Sequence, residues 1–296
     1  MLKKLKLLWD FTRPHTIIGS FLSISTLFLL ACKGENAVLY WPVYAWTLLA
    51  ALGCNVFITG LNQITDWEMD KINKPFLPIP AGRLSLRGAW QIILVGIAVC
   101  LLAAWQVSAN MSIVMVLILG LGTAYSLPPI RLKRHHITAA FCIVAVRGVL
   151  VNLAIGAELD RLISAGIQHW PELILLTVFV SVFSLAIAWF KDLYDTKGDA
   201  EYQIRTLPLL YSARYAFIMG NILVMGAYLL AIVYGYQAIQ PHSWLLSIGH
   251  GILLAAFIGH VLTSSIETPE GTYRFYMRFW VFFFAEYLLM LLYALC

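Results

Sequence analysis

The sequence predicts an all-α, multispanning membrane protein. Of its 296 residues, 61% are apolar and only 12% are charged, whereas an ordinary soluble domain has roughly 25% charged residues. The apolar residues form about nine runs, and a helix that spans a bilayer needs roughly 20 of them in a row. A soluble globular protein is therefore excluded, and the 14% aromatic content excludes a disordered chain.

Each apolar run is predicted to be one membrane span, because its length and continuous hydrophobicity suit a transmembrane helix. In chain order, the predicted spans are residues 17–31, 41–64, 90–108, 113–127, 137–157, 173–190, 216–236, 244–262 and 279–295. No low-complexity segment or interdomain linker separates them. Residues 1–296 are therefore expected to form a single domain.

The basic residues are distributed unevenly between the two ends of these spans. Of the 20 Lys and Arg residues, Lys33 and Arg161 fall at one end, and Arg147 lies within a span. All the others fall at the opposite end, in the N-terminal segment and the connectors 65–89, 128–136, 191–215 and 265–278. Because cytoplasmic loops carry an excess of Lys and Arg, we expect the N-terminus and these connectors to be cytoplasmic and the C-terminus to lie across the membrane. The net charge of +5 is too dispersed to indicate a nucleic-acid partner.

Two acidic clusters follow the second and the sixth predicted span. They contain seven of the 15 acidic residues: Asp66, Glu68, Asp70, Asp192, Asp195, Asp199 and Glu201. Asn62 precedes Asp66 and Asp70 at intervals of four residues, which places all three on one face of a helix. The second cluster has spacings of three and four, which again select one face.

Carboxylate oxygens from few ligands, with room for water and phosphate, are the usual arrangement around Mg²⁺. The candidate Mg²⁺ ligands are Asn62, Asp66, Asp70, Asp195 and Asp199. The phosphate is then expected to come from the substrate. Alternatively, the acids only solvate helix ends, but two clusters at equivalent positions favour the metal site.

Basic residues in the same connectors suit a phosphorylated substrate. Guanidinium and ammonium groups can bind a diphosphate whose remaining charge is neutralised by Mg²⁺. The candidates are Arg13, Lys74, Arg131, Lys133, Arg134 and Arg205. Each of them could instead be an orientation signal that binds lipid phosphates. Arg147 lies within a predicted span, where an ionisable group should face the bundle interior.

Several motifs of the chain resemble one enzyme family. Residues 62–70 resemble the NxxxDxxxD motif of the UbiA-type intramembrane prenyltransferases, and Asp195 to Asp199 resembles their second, DxxxD motif. Five blocks, in order along nearly the whole chain, are similar to the homogentisate prenyltransferases, particularly the phytyltransferase branch. These blocks are Arg13-Pro-His-Thr-Ile-Ile-Gly19, Asn62-Gln with Asn73-Lys-Pro-Phe-Leu-Pro78, Ala124-Tyr-Ser-Leu-Pro-Pro129 with Arg131-Leu-Lys-Arg134, Val146-Arg-Gly148 with Val151-Asn-Leu153, and Phe190-Lys-Asp192 with Asp195 and Gly198-Asp199.

The resemblance implies a bundle of nine helices around a central cavity, with the cytoplasmic connectors forming a cap. It implies that a prenyl diphosphate, phytyl or geranylgeranyl, ionises with Mg²⁺ and that the allylic cation alkylates homogentisate with loss of CO₂. Such a reaction belongs to tocopherol or prenylquinone biosynthesis. The expected partners are the prenyl diphosphate, the aromatic acceptor and membrane lipid, and no obligatory protein partner is inferred.

This chemistry suggests further roles. Tyr125 lies beside a motif and presents a ring face that attracts and shields an allylic cation. Asp192, one turn from Asp195, is a candidate for orienting or deprotonating the acceptor hydroxyl. Arg147 or His15 is a candidate for binding the acceptor carboxylate.

Two other functions stay open at this stage. A related transferase would use another acceptor, such as chlorophyllide, dihydroxynaphthoate or 4-hydroxybenzoate, because the acceptor pocket is not visible in the sequence. A cation transporter or channel also contains intramembrane acids, but it places them near the bilayer midplane on broken helices. Here the acids lie at the ends of spans, which favours the enzyme.

Overall fold

A computed structural model of the protein describes residues 2–164 and 169–296. Within these residues, nine helices are long and apolar enough to cross a membrane, which confirms the predicted all-α, multispanning fold. The β structure in the same ranges is limited to one isolated bridge, between His135 and Arg205.

The helices are α1 (Leu2–Phe11), α2 (Pro14–Ala31), α3 (Trp41–Thr65), α4 (Trp67–Asn73), α5 (Leu86–Val107), α6 (Ala109–Ser126), α7 (His136–Ile143), α8 (Ile155–Ile163), α9 (Trp170–Glu201), α10 (Leu207–Leu210), α11 (Ala213–Gln237), α12 (Ser243–Leu262) and α13 (Pro269–Leu295). A π-helical segment, Val144–Ala154, joins α7 to α8. Short 3₁₀ turns occupy Ala37–Tyr40 and Leu132–Arg134. The nine spans are α2, α3, α5, α6, the continuous helix from α7 to α8, α9, α11, α12 and α13.

Two spans extend well beyond their predicted apolar runs. The sixth was predicted to end at residue 190, but α9 continues to Glu201, and contacts from Asn73 and Lys74 hold these last turns. The ninth was predicted to begin at residue 279, but α13 begins at Pro269. The hydropathy pattern ends the sixth span too early and begins the ninth too late, because it leaves out helical turns that contain charged residues.

The long helix α9 lies at the centre of the bundle. In the most apolar stretch of α9, 67% of the residues are buried within the protein, whereas the corresponding share in α12 is 17%. Helix α9 is therefore surrounded by other helices, and α12 faces outward. Aromatic rings connect α9 to α13: Phe183 stacks on Phe279 with centroids 4.4 Å apart, and Phe190 meets Phe279 edge-on at 4.9 Å. This packing fixes the end of α9 that carries the second acidic cluster.

The opposite end of the bundle is held by polar contacts of its own. Glu158 on α8 accepts hydrogen bonds from Ser108 Oγ (2.6 Å) and from Asn110 Nδ2 (3.1 Å), which ties the turn between α5 and α6 to α8. Tyr293 Oη on α13 donates to Glu172 Oε1 at the start of α9 (3.0 Å). These contacts lie at the end away from the acidic clusters, so the two ends of the bundle are chemically different.

Helices α3 and α5 approach closely at Gly53. A Cβ added at Gly53 would lie 2.7 Å from the carbonyl oxygen of Gly96 and 2.8 Å from the amide nitrogen of Cys100. Because backbone atoms cannot rotate away, we expect Gly53→Ala to lower the free energy of unfolding by about 1–3 kcal/mol, measured by SDS titration in detergent micelles. Gly120→Ala is the matched control, because nothing lies within 4 Å of its new Cβ. Equal stabilities of the two variants would contradict this packing.

Candidate active site

The two acidic clusters face one cavity at the end of the bundle. This acid-lined cavity has a volume of about 70 Å³ and is lined by residues from α3, α4, α6, α9 and α13 together with neighbouring connectors. Ten of the residues predicted for the site line it: Arg13, Asn62, Asp66, Asp70, Lys74, Tyr125, Lys133, Asp192, Asp195 and Asp199. The structure therefore brings all five candidate Mg²⁺ ligands together, although they come from distant parts of the sequence.

The first cluster lies at a break between two helices. Asp66 has φ −109° and ψ 8° and separates α3 from α4, yet the amide of Asp66 still donates to the carbonyl of Asn62 (3.0 Å) and that of Asp70 to the carbonyl of Asp66 (2.7 Å). Asp66 is held by Arg131 Nη2 (2.9 Å) and Lys133 Nζ (2.7 Å). Burial opposes ionisation of Asp66, but Lys133 and Arg131 hold the pKa of this carboxyl below its usual value. Asp66 is therefore an ionised, oriented ligand.

The second cluster occupies the last turns of α9. Lys74 Nζ donates to both carboxylate oxygens of Asp195, at 2.7 and 2.5 Å, and lies 3.7 Å from Asp70 Oδ1. Burial disfavours the charge on Lys74, but Asp195 and Asp70 raise the pKa of its ammonium group. Asp192 is paired with its neighbour Lys191 (2.8 Å). Lys74 thus links the two acidic clusters electrostatically.

Two carboxylate oxygens in the cavity lack a partner in the described part of the chain: Asp70 Oδ2 and Asp199 Oδ2 are both buried without a hydrogen bond. Burial raises the pKa of Asp70 to about 6, although Lys74 and Arg13 lie nearby. Unpaired buried oxygens are costly, and hard oxygen donors suit Mg²⁺. Asp70 and Asp199, one from each cluster, are therefore the ligands that fit a divalent cation best.

The side chains alone do not form a closed metal shell. Across residues 2–164 and 169–296, no group of three or more His, Cys, Asp or Glu side chains is arranged to hold a metal ion. Several of the carboxylates are instead neutralised by Lys or Arg. Mg²⁺ usually keeps several waters and binds substrate phosphates alongside one or two carboxylates, so the donor set remains compatible with Mg²⁺.

The predicted diphosphate ligands divide into two groups. Arg13, Lys74 and Lys133 line the cavity, and Arg13 lies between α1 and α2 with a positive φ of 55°. Arg134 and Arg205 are exposed, and neither belongs to the cavity wall. Their backbones pair instead, because the amide of Arg205 donates to the carbonyl of Arg134 (2.9 Å).

Two further cations reach the site: Arg131, which sequence analysis had considered among the anion-binding groups, and Lys191, to which it had assigned no role there. Lys191 lines the cavity beside Asp192, and Arg131 contacts Asp66. Lys191 lies directly before Asp192 in the sequence, which was the available signal. Lys191 had been interpreted as a determinant of membrane orientation only.

Arg147 and His15 meet deeper in the bundle, at Trp280. The Arg147 guanidinium lies 4.8 Å from the Trp280 ring centroid and 5.5 Å from that of Phe283, and the His15 and Trp280 rings are 4.7 Å apart. Arg147 lines a second cavity of about 140 Å³, and its Nη1 is buried without a hydrogen-bond partner among the described residues. An unpaired guanidinium in such surroundings suits an anionic ligand.

The π-helical segment explains where Arg147 lies. Asn152 Nδ2 donates to the carbonyl of Arg147 (2.6 Å), and Tyr287 Oη on α13 donates to Asn152 Oδ1 (3.0 Å). These bonds hold the π segment against α13. Such segments are rare and are often found at functional sites.

A third cavity adjoins the acid-lined one. It has a volume of about 490 Å³ and shares Arg13, Lys74, Tyr194 and Tyr276 with the acid-lined cavity. Its other walls include Ile18 on α2 and apolar residues of α13, and Ile18 is exposed on the outer surface of the bundle. An apolar chain attached to a group in the acid-lined cavity could therefore extend between α2 and α13.

Comparison with known proteins agrees with this architecture. The model of the UbiA prenyltransferase family matches residues 22–283. The chain is 39% identical to homogentisate phytyltransferase of Synechocystis sp. over 293 residues, which cover 95% of this chain and 93% of the relative. It is 35% identical to the chloroplastic homogentisate solanesyltransferase of Arabidopsis thaliana, covering 95% of this chain and 71% of the relative.

The fold also matches a solved structure. A UbiA homologue from Archaeoglobus fulgidus bound to GPP and Mg²⁺ has a TM-score of 0.67 and 16% sequence identity, covering 95% of this chain and 99% of that chain. At this identity the similarity shows the fold. Together with the family match over most of the sequence, it establishes that this chain belongs to the UbiA prenyltransferase family.

Proposed function

We propose that the protein transfers a prenyl group from its diphosphate to homogentisate, with loss of CO₂, in a Mg²⁺-dependent reaction. The convergence of two carboxylate clusters and several cations on one cavity carries this proposal. The names of the two relatives differ in the prenyl group, phytyl or solanesyl, but share homogentisate. That shared acceptor supports homogentisate over chlorophyllide, dihydroxynaphthoate or 4-hydroxybenzoate.

Asp70 and Asp199 would hold Mg²⁺ with their unpaired oxygens, and Asn62, Asp66 and Asp195 would contribute directly or through water. When bound, Mg²⁺ stabilises the negative charge that develops on the diphosphate leaving group. The protein itself holds the two clusters facing each other, which keeps the ligands oriented before substrate arrives.

The diphosphate would be bound by Lys74, Lys133 and Arg13, assisted by Arg131 and Lys191. Without substrate, Lys74 is paired with Asp195 and Lys133 with Asp66, so the site is close to electrically balanced. A diphosphate and its cation would let these lysines turn to phosphate oxygens while the carboxylates turn to the metal. Arg134 and Arg205 are left out of this direct role because they are exposed.

The walls of the cavity suit a carbocation. Tyr125, Tyr194 and Tyr276 line it, and each ring face attracts a positive charge by about 0.5–2 kcal/mol. They also limit the access of water, which would otherwise capture the cation. The prenyl tail would lie in the 490 Å³ cavity between α2 and α13, where each buried CH₂ contributes about 0.8 kcal/mol.

The acceptor would lie between the acid-lined cavity and Arg147. Tyr276, which lines the acid-lined cavity, meets Trp280 edge-on with ring centroids 6.3 Å apart, and Trp280 contacts Arg147. An aromatic acceptor there could direct its carboxylate towards the guanidinium. The His15 ring is tilted against the same tryptophan and would shape this end of the pocket. Asp192, oriented by Lys191, would orient or deprotonate the acceptor hydroxyl.

Removing the guanidinium tests this assignment of Arg147. We expect Arg147→Gln to raise the KM for homogentisate about 10- to 100-fold, because one charged hydrogen-bond partner of the carboxylate is lost. The KM for the prenyl diphosphate should stay unchanged. The methyl ester of homogentisate, which has no carboxylate to lose as CO₂, is the matched control ligand, and its inhibition constant as a competitor of homogentisate should be the same in both proteins. An equal effect on acid and ester, or no effect on the acid, would contradict the assignment.

The protein is an integral membrane protein, and we propose its orientation from the distribution of Lys and Arg. The N-terminus and the acid-lined cavity would face the cytoplasm, and the C-terminus would lie on the opposite side. The pairing of the connectors around His135 and Arg205 supports a cap over this end. We also propose that residues 1–296 form one domain.

Product analysis tests the proposed function as a whole. Purified protein in liposomes would receive Mg²⁺, homogentisate and phytyl, geranylgeranyl or solanesyl diphosphate, and products would be identified by mass. We expect a prenylated acceptor that lacks the mass of CO₂. Product only from another acceptor, or cation flux across the liposomes without any product, would overturn the proposal in favour of a different transferase or a transporter.

A further inference from the structure

We propose that Asn73 is a positioning residue that holds the second acidic cluster in place through the main chain of α9. This inference rests on the proposed function, because it concerns the orientation of the metal ligands. Asn73 is the last residue of α4, next to Lys74, and was not assigned a role from its sequence. Its side chain makes two hydrogen bonds, and both go to the backbone of α9.

The two bonds lie within the second cluster. Asn73 Nδ2 donates to the carbonyl of Asp195 (2.9 Å), and Asn73 Oδ1 accepts from the amide of Gly198 (2.9 Å). A planar carboxamide bound at both ends fixes the distance and the rotation of α9 relative to α4. The segment of α9 between the two bonds runs from Asp195 to Gly198. It includes the first acid of the DxxxD motif and ends directly before the second, Asp199.

The shape of α9 at this point suits the contact. A Cβ added at Gly198 would lie 2.6 Å from Asn73 Nδ2 and 2.8 Å from Oδ1. Real Cβ contacts do not become this short, so the carboxamide fits only because residue 198 is glycine. The close contact between Asn73 and Gly198 therefore holds α4, which carries part of the first acidic cluster, against α9, which carries the second.

The hydrogen bonds of Asn73 differ in kind from the neighbouring ion pair between Lys74 and Asp195. Lys74 binds the carboxylate of Asp195, and that bond must loosen if the carboxylate turns to a metal ion. The Asn73 bonds involve no ligand oxygen, so they can persist in the free and the bound protein. Neighbours that orient metal ligands commonly change metal affinity 10- to 100-fold when they are removed.

A double-mutant cycle read out by Mn²⁺ binding tests the inference. Mn²⁺, alone and with inorganic pyrophosphate, would be titrated into the purified protein and followed by electron paramagnetic resonance. We expect Asn73→Ala and Gly198→Ala each to weaken Mn²⁺ binding about tenfold. The double variant should be no weaker than the worse single variant, because truncating Asn73 removes the atoms that the new methyl group would strike.

Further variants separate positioning from simple loss of stability. Asn73→Asp keeps the shape of the side chain but replaces the donor Nδ2 by an oxygen, which cannot donate to the Asp195 carbonyl. It should therefore weaken Mn²⁺ binding as Asn73→Ala does. Gly226→Ala is the control, because nothing lies within 4 Å of its new Cβ. In turnover, the Asn73 variants should raise the Mg²⁺ concentration for half-maximal activity while leaving the KM for homogentisate unchanged.

The outcomes distinguish this inference from the proposed function. If the wild-type protein binds no Mn²⁺, the metal site itself is wrong and the inference falls with it. If the wild type binds Mn²⁺ but the variants bind it equally well, or if the effects of Asn73→Ala and Gly198→Ala add, the inference alone is overturned.

Discussion

Replacing Asp199 by Asn is expected to lower kcat about a thousandfold while leaving the protein folded. Asp199 Oδ2 is buried in the acid-lined cavity and has no hydrogen-bond partner in the described part of the structure. Asn has the same size but lacks the charge that would balance a divalent cation, and losing one preorganised electrostatic contact typically costs about 10²–10³ in kcat. Initial rates at saturating Mg²⁺, with melting temperatures as a check on folding, measure the effect.

The control for this prediction lies on the same helix. Glu201 is the last residue of α9 and is exposed, so Glu201→Gln removes an equal charge nearby without changing the cavity and should keep wild-type turnover. Asp66→Asn is a less specific test, since Asp66 also neutralises Lys133 and Arg131. Wild-type turnover in Asp199→Asn would contradict the metal assignment.

Replacing Lys133 by Met is expected to lower kcat/KM for the prenyl diphosphate about a hundredfold. Lys133 Nζ donates to Asn62 Oδ1 (2.8 Å), Thr65 Oγ1 (3.0 Å) and Asp66 Oδ2 (2.7 Å), so this one ammonium group orients Asn62 and Asp66, two of the candidate Mg²⁺ ligands. Its loss removes a charge from the diphosphate site and leaves Asp66 paired with Arg131. Steady-state kinetics with varied prenyl diphosphate would measure the effect.

The neighbouring residue supplies a matched comparison. Arg134 lies next to Lys133 in the sequence but is exposed, so Arg134→Met should retain nearly full activity. Sequence analysis had predicted the same role for both residues, whereas the structure separates them. Similar losses in the two variants would show that the connector rearranges when substrate binds and that the cavity as described is incomplete.

Local patterns predicted most of the fold and the acidic part of the site. The nine spans follow from the lengths of the apolar runs, and the convergence of Asp70 and Asp199 follows from helical spacing at equivalent span ends. Helical spacing depends only on neighbouring residues, so Asn62, Asp66 and Asp70 stay on one face even though α3 ends directly before Asp66. The hydrogen bonds of Asp66 and Asp70 keep the four-residue register across that break.

The connectors could not be predicted in the same way. Lys133 and Arg134 belong to a 3₁₀ turn of three residues, too short for any periodicity to show which side chain points inward. Their directions depend on the bridge between His135 and Arg205, a contact between residues far apart in the chain. No pattern within the connector itself contains this information.

The π segment and Asn73 were missed for related reasons. An extra residue in one helical turn leaves the apolar composition of a span unchanged, so the position of Arg147 towards Trp280 was not visible. Asn73 looked like an ordinary polar residue at a helix end, because its partners on α9 are backbone atoms. Only the close approach at Gly198 reveals the contact, and it requires the folded chain.

The most direct test is to locate a divalent ion relative to α4 and α9. Crystals of the protein grown with Mn²⁺ and a non-hydrolysable prenyl thiodiphosphate would show the metal by its anomalous scattering. We predict a peak between the two helices, with ligands from both acidic clusters and from the diphosphate. A peak held by one cluster alone, or a diphosphate bound outside the acid-lined cavity, would contradict the account.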